Sequence, residues 1–123
     1  MPTYPYLTIS GQADAPICQV TVAFGNNTLP ELGLFDSGAG GTTLTKRLVS
    51  QLGLQQYSEC ELSGATGEKK QAPVYIVDIQ VGGIWYRNVY ATLVERSYML
   101  IGRDILNQRT LLLDGPRREF EID

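Results

Sequence analysis

The chain contains no histidine, and this absence excludes several classes of catalytic site. Ser–His–Asp and Cys–His catalysis both need an imidazole as the general base. Most zinc sites in proteins also use histidine. Cys18 and Cys60 are the only cysteines, and neither has a neighbour of the kind that binds metals. The sequence therefore predicts no metal site and no cofactor.

Long apolar runs and an excess of positive charge are also missing. A membrane-spanning helix needs about 20 apolar residues, and no run here approaches that length. Ten Lys and Arg against 13 Asp and Glu give a net charge of −3, which predicts neither nucleic-acid nor membrane binding. Residues 1–6 do not resemble a signal peptide. We therefore expect a cytoplasmic protein with reduced thiols.

The spacing of apolar residues predicts a mostly β fold in a single domain over residues 1–123, a length sufficient for a hydrophobic core. A period of two predicts a strand over Ile17–Phe24. The residues on its apolar face are Cys18, Val20, Val22 and Phe24. Further strands are expected over residues 60–63, 74–81, 84–94 and 99–101, and the segments 111–113 and 119–122 predict a final hairpin.

One helix has clear start and stop signals. Thr45 is a suitable N-cap for a helix over Lys46–Leu52, and Gly53 stands where a helix C-terminal glycine is expected. A helical turn is predicted over Arg103–Asn107. The sequence thus predicts one or two short helices.

The most informative segment is Asp36-Ser37-Gly38, which follows a short apolar strand predicted over Leu32–Phe35. A carboxylate at a packed strand end has a fixed position, and a following hydroxyl can lock the loop by hydrogen bonding. Gly38 allows a sharp turn and a close approach to a partner or ligand. Alone, the tripeptide is weak support for a catalytic site, because Asp and Ser often satisfy backbone groups in turns.

A second motif begins about 65 residues later, where the apolar strand 99–101 is followed by Gly102-Arg103-Asp104-Ile105-Leu106. Together the two motifs resemble the retropepsin-like family of retroviral-type aspartic proteases. That family has two apolar residues before Asp-Ser/Thr-Gly-Ala and, later, apolar-apolar-Gly-Arg-Asp/Asn-apolar-Leu. Residues 63–68 resemble its glycine-bearing flap. The resemblance spans roughly residues 17–122.

The resemblance implies a small closed barrel of the acid-protease type that acts on peptide or protein substrates as a homodimer. It implies these roles: Asp36 as the catalytic residue; Ser37, Gly38 and Ala39 in the active-site loop; Ala65, Thr66, Gly67, Leu100 and Ile101 at the flap and substrate pocket; and Gly102, Arg103 and Asp104 as structural support. Ser37 would hydrogen-bond to the other subunit's loop.

One departure from the family pattern concerns substrate binding. Retroviral enzymes often carry acidic residues after the Asp-Thr-Gly-Ala sequence, whereas this chain has Gly40 and Gly41. These two glycines have no carboxylate with which to bind the substrate backbone. It also removes the expected acidic partner of Arg103, which is then left to pair with a carboxylate that the sequence does not identify.

A single Asp-Ser-Gly implies a dimer if the chain is a protease. Peptide hydrolysis of this type uses one ionised carboxylate to take a proton from water and one protonated carboxylate to polarise the scissile carbonyl. Asp114-Gly115 lacks the intervening hydroxyl and is expected to be a hairpin turn. The pair should therefore be Asp36 from two identical chains about a two-fold axis.

The terminal segments allow two interpretations. The resemblance implies that segments such as Thr3–Ser10 and Glu119–Ile122 interleave across the dimer. Alternatively, Phe120 and Ile122 complete the core of their own chain.

Three functions remain open from the sequence. The first is an aspartic endopeptidase. The second is a non-catalytic peptide-binding or dimerisation module on the same fold, which the glycines at positions 40 and 41 keep open. The third is an unrelated small β-barrel in which Asp-Ser-Gly occurs by chance.

Overall fold

A computed structural model describes residues 2–64 and 66–123. The elements within those residues are β1 (Thr3–Pro5), β2 (Ile17–Phe24), β3 (Asn27–Phe35), β4 (Thr43–Leu44), α1 (Lys46–Leu52), β5 (Ser58–Ser63), β6 (Lys69–Val81), β7 (Ile84–Leu93), β8 (Met99–Ile101), α2 (Arg103–Leu106), β9 (Leu111–Asp114) and β10 (Glu119–Ile122). The predicted mostly β fold with two short helices is confirmed. Neither helix in this part of the chain is long and apolar enough to cross a membrane.

The larger sheet has seven strands. Six follow the order β4-β7-β6-β2-β3-β8, and β5 pairs with β6 beside this path. The predicted closed barrel is not completed as a backbone ladder among the described residues, because the edge strands β4 and β8 are only two and three residues long. A side chain bridges them instead, since the backbone N–H of Leu100 donates to Thr43 Oγ1 at 2.9 Å.

The hairpin of β2 and β3 leads the chain into the Asp36 segment. Strand β2 has the predicted bounds, and Cys18, Val20 and Val22 are buried as expected. Phe24 departs from the prediction and is 43% exposed, because it ends the strand opposite Asn27 at the turn. Strand β3 is longer than predicted, since it pairs with β2 from Asn27 to Leu34.

Helix α1 matches its prediction at both ends. Thr45 Oγ1 accepts a hydrogen bond from the backbone N–H of Leu48 at 3.3 Å. Gly53 takes the left-handed conformation at a φ of 64°, and its N–H bonds back to carbonyls in the last turn. Leu48 and Leu52 are buried against the sheet core.

The smaller sheet joins the two terminal segments of the chain in the order β1-β10-β9. Phe120 is fully buried, lies 5.3 Å from the ring of Tyr4 and meets the ring of Phe35 edge-on at 5.2 Å. Ile122 is also buried in the main core. In the single chain these two residues therefore complete the core of their own chain, and interleaving of the terminal segments across a dimer stays a prediction.

Both cysteines are free. Burial raises the pKa of the Cys18 thiol to about 11, and the nearby charge of Arg109 offsets only part of this effect. The Cys18 thiol is therefore protonated near neutral pH, which leaves it a poor nucleophile.

Candidate active site

Asp36 is the first residue after β3, which runs parallel to β8. Its backbone N–H donates to the carbonyl of Ile101, the last residue of β8, at 3.0 Å. The preceding residue, Phe35, is buried, and its N–H donates to the carbonyl of Pro16 at 3.0 Å. The half-buried Asp36 therefore lies where β3 and β8 end. Hydrogen bonds to the carbonyls of Pro16 and Ile101 hold the backbone just before it and at it.

The loop after β3 folds back on the Asp36 carboxylate. The backbone N–H of Gly38 donates to Asp36 Oδ1 at 2.9 Å, and the N–H of Ala39 donates to the Asp36 carbonyl at 3.1 Å. No described residue donates a hydrogen bond to Oδ2. One carboxylate oxygen is thus anchored while the other remains available, and the neighbouring Ser37 and Gly38 are exposed.

The Gly102 motif packs directly beneath this loop. A Cβ added at Gly102 would lie 2.6 Å from the backbone C and O of Gly41 and 3.0 Å from the carbonyl oxygen of Ala39. The N–H of Arg103 donates to that same Ala39 carbonyl at 2.9 Å. Only glycine allows this close approach, so the second sequence motif supports the first through the backbone.

Thr42 and Asp104 form a clamp between the two motifs. Thr42 is buried, and its Oγ1 donates to Asp104 Oδ1 at 2.8 Å, while its backbone N–H donates to Oδ2 at 3.1 Å. The same hydroxyl oxygen accepts from the N–H of Gly102 at 3.2 Å. Asp104 therefore acts as a structural acceptor. Thr42 was missed from the sequence, because a polar residue beside a two-residue strand carries no local signal of this role.

Arg103 does not make the ion pair that the sequence analysis expected. Its Nη1 donates to the backbone carbonyl of Ser37 at 2.8 Å. Among the described residues, no carboxylate lies within the 4.0 Å of an ion pair with this guanidinium. The reason is the glycine at position 40, whose added Cβ would lie 3.6 Å from Arg103 Nη2. The guanidinium therefore supports the loop through a carbonyl and keeps its charge exposed.

This arrangement predicts that Gly40→Asp stabilises the protein. Gly40 has no positive φ and an added Cβ meets no close contact, so the new carboxylate can reach Arg103. The exposed ion pair should add about 0.2–1 kcal/mol to the free energy of unfolding at low salt. Gly40→Asn is the matched control, because it shares the loss of backbone freedom without the charge. Equal urea midpoints for the two variants would contradict the prediction.

The flap and pocket residues are only partly assembled. Ala65 lies outside the described residues. In the β5–β6 hairpin, the N–H of Gly64 donates to the Glu68 carbonyl at 2.8 Å, and Gly67 has a φ of 84°. No hydrogen bond between described residues joins Thr66 or Gly67 to the Asp36 loop.

Leu100 and Ile101 were both expected to line the substrate pocket, and the structure separates them. Leu100 is half-buried. Ile101 is fully buried in the core, where its side chain fills the space above Gly33. Ile101 therefore does not line an open pocket, because successive side chains of β8 point to opposite faces of the sheet.

The described residues contain no group of three His, Cys, Asp or Glu side chains that could hold a metal ion. The chemistry available at the loop is that of the Asp36 carboxylate and the backbone N–H groups beside it.

Comparisons with known proteins point to one family. The model of the family described as "gag-polyprotein putative aspartyl protease" matches residues 20–108, which include Asp36 and Gly102. No curated protein matches the chain in sequence.

Two solved structures are similar to this fold. The EIAV protease complexed with the inhibitor HBY-793 is 23% identical, with a TM-score of 0.62, over 83% of this chain and 93% of that one. A retropepsin-like aspartic protease from Rickettsia conorii is 14% identical, with a TM-score of 0.59, over 97% of this chain and 88% of that one. At these identities the two likenesses show the fold.

Proposed function

The chain belongs to the retropepsin-like gag-polyprotein aspartyl protease family, and from this premise we propose that it is an aspartic endopeptidase. In this proposal residues 1–123 form one protease domain, and two identical chains each contribute Asp36 to a single active site. The observation that carries the proposal is the position of Asp36, fixed at the end of two strands with Oδ1 held by the N–H of Gly38.

The proposed mechanism uses the two carboxylates in different protonation states. The ionised Asp36 takes a proton from a water molecule, which attacks the scissile carbonyl. The C–N bond of the resulting tetrahedral intermediate then breaks, and the amine leaves with the proton that this Asp36 took from water. The protonated Asp36 of the second copy donates a hydrogen bond to the carbonyl oxygen and stabilises the charge that develops there. Two carboxylates so close together share one proton, as in the general case of the aspartic-protease dyad.

The other aspartates that lie in glycine-containing segments of this chain are engaged elsewhere, which supports a second copy as the source of the second acid. Asp104 accepts two hydrogen bonds from Thr42. Asp114 ends β9 and accepts from the N–H of Arg117 at 3.2 Å, as expected for a hairpin turn.

The remaining roles follow from the family. Ser37 is proposed to hydrogen-bond to the loop of the second copy, and Gly38 to contact the substrate backbone. Thr66 and Gly67 are proposed to close over a bound peptide, with Leu100 beside it. Both Ser37 and Gly38 are exposed in the single chain, as such contacts require.

A non-catalytic peptide-binding or dimerisation module is the alternative. Gly40 and Gly41 favour it, because they stand in place of the acidic residues that often bind the substrate backbone in retroviral enzymes. Family membership removes the third possibility, an unrelated barrel with a chance Asp-Ser-Gly.

The proposal is tested by incubating the purified protein with a diverse peptide mixture from acidic to neutral pH and reading new termini by mass spectrometry. We expect cleavage whose rate falls on both sides of an optimum, because the active pair must hold one proton. A folded dimer that binds peptides from the mixture at every pH and cleaves none would favour the non-catalytic module.

A further inference from the structure

We propose that the guanidinium group of Arg103 binds an acidic side chain of the peptide substrate, two or three residues from the scissile bond. The protein then prefers peptides with glutamate or aspartate at those positions. The inference rests on the proposed function, since it places the peptide in extended form across Asp36.

The first observation is that Arg103 uses little of its hydrogen-bonding capacity. A guanidinium carries five N–H donors. Among the described residues, the one hydrogen bond of this side chain runs from Nη1 to the Ser37 carbonyl at 2.8 Å. This acceptor is neutral and Arg103 is exposed, so Nε and Nη2 can donate to a carboxylate that arrives from outside.

The second observation is that carboxylates of the same chain do not neutralise this charge. Asp104 is next in sequence, but its two oxygens accept from the side chain and the backbone of Thr42. The Asp36 carboxylate accepts from the N–H of Gly38. Across residues 2–64 and 66–123, no acidic side chain lies within the 4.0 Å of an ion pair with Arg103. The active-site loop therefore has a cation whose anion can come from a ligand.

The loop leaves room for such an anion. Gly40 and Gly41 are both exposed and have no side chain that could cover the guanidinium. A Cβ added at Gly40 would lie 3.6 Å from Arg103 Nη2, and one added at Gly41 would have no atom within 4 Å. The space beside Nη2 is therefore open to a side chain of the substrate.

The distance from Asp36 determines which substrate residue reaches Arg103. Arg103 Nη1 binds the carbonyl of the residue that follows Asp36, so standard backbone dimensions place Nη1 within about 9 Å of the Asp36 Cα atom. An extended peptide advances about 3.3 Å per residue. A peptide whose scissile bond lies at Asp36 thus brings a side chain to the guanidinium after two or three residues.

The two-fold symmetry of the proposed dimer duplicates this contact. The second copy presents its own Arg103 on the opposite side of the scissile bond. A preference for an acidic residue is therefore expected at equal distances on the amino and the carboxyl side of the cleaved bond.

The test uses a peptide that the protein cleaves, resynthesised with either glutamate or glutamine at each of the positions around the scissile bond. Cleavage is measured at low salt and above about pH 5, where glutamate is ionised. We expect glutamate to raise kcat/KM at least about 5-fold over glutamine at a position two or three residues from the bond, on each side. High salt should reduce this ratio. A ratio near one at every position would overturn the inference.

Variants at position 40 identify Arg103 as the cause. In Gly40→Asp the new carboxylate can reach Arg103, so the ratio of glutamate to glutamine cleavage should fall to about one. Gly40→Asn is the matched control without the charge and should keep the native ratio. Arg103→Glu should prefer lysine to glutamine at the same positions. Equal ratios for the two Gly40 variants would contradict the assignment.

Peptide binding separates this inference from the proposed function. Fluorescence anisotropy compares the affinities of the glutamate and glutamine peptides for the native protein and for Asp36→Asn. Tighter binding of the glutamate peptide without cleavage would contradict the protease proposal and leave the Arg103 site intact. Cleavage with no preference for glutamate would do the opposite, and a protein that binds none of the peptides would contradict both.

Discussion

Asp36→Asn should lower the rate of peptide cleavage by about 10²- to 10⁴-fold, the usual contribution of a general acid or base. Asparagine has nearly the shape of aspartate, and its Oδ1 can still accept the hydrogen bond from the N–H of Gly38. The variant loses the charge that activates water and the proton that polarises the carbonyl. Fold and dimer affinity should therefore be retained while catalysis is lost.

The measurement is the cleavage rate of a peptide that the native protein cuts, with sedimentation and thermal unfolding of the same samples. Asp78→Asn is the control for removing an aspartate charge, because Asp78 lies on β6 and binds Arg87 at 3.1 Å. It should retain near-native activity. Cleavage by Asp36→Asn at the native rate would contradict the assignment of Asp36.

Gly102→Ala should destabilise the protein and displace the active-site loop. The new Cβ would lie 2.6 Å from backbone atoms of Gly41, and backbone cannot rotate aside as a flexible side chain can. Forcing one methyl group into a packed site costs about 1–3 kcal/mol. Because Asp36 and Gly102 end adjacent parallel strands, the displacement should also reduce cleavage.

Urea unfolding compares Gly102→Ala with Gly41→Ala as the stability control. Gly41 lies in the same loop, but an added Cβ there has no atom within 4 Å and the φ is not positive. We expect a lower midpoint for Gly102→Ala only. Equal midpoints for the two variants would show that the loop does not depend on the close approach at Gly102.

Local signals in the sequence predicted some elements to the residue. Helix α1 is one, because Thr45 and Gly53 satisfy its end groups with neighbouring residues. Strand β2 is another, because the apolar residues at every second position are visible in its own sequence. The length of β3 was missed, since the segment from Asn27 is ordered by pairing with β2 and its own residues carry little strand signal.

The candidate active site likewise combines residues that the sequence identifies with contacts that it does not reveal. Asp36 and Gly102 are found by motif, because their chemistry demands particular residue types at particular places. The contact of Thr42 with Asp104 joins residues that are 62 positions apart, so no local pattern reveals it. The bond from Arg103 to the Ser37 carbonyl was likewise unpredictable, since any backbone carbonyl can accept from a guanidinium.

The closure of the sheet was predicted from the family and differs in detail. A closed barrel was expected, whereas among the described residues no backbone ladder joins the edge strands β4 and β8, and the hydroxyl of Thr43 bridges them. In the single chain β1 and β10 pair with each other, and the interleaving of terminal strands across a dimer stays a prediction. The difference at the sheet edges arises from long-range packing that a motif does not encode.

The most direct test of the central claim is a subunit-mixing titration. Native protein and Asp36→Asn are combined at constant total concentration, allowed to exchange subunits, and assayed for peptide cleavage. If each active site needs Asp36 from both copies, activity falls as the square of the native fraction, because only native homodimers are active. Activity that falls in direct proportion to the native fraction would mean that one chain carries a complete site, and would contradict the account.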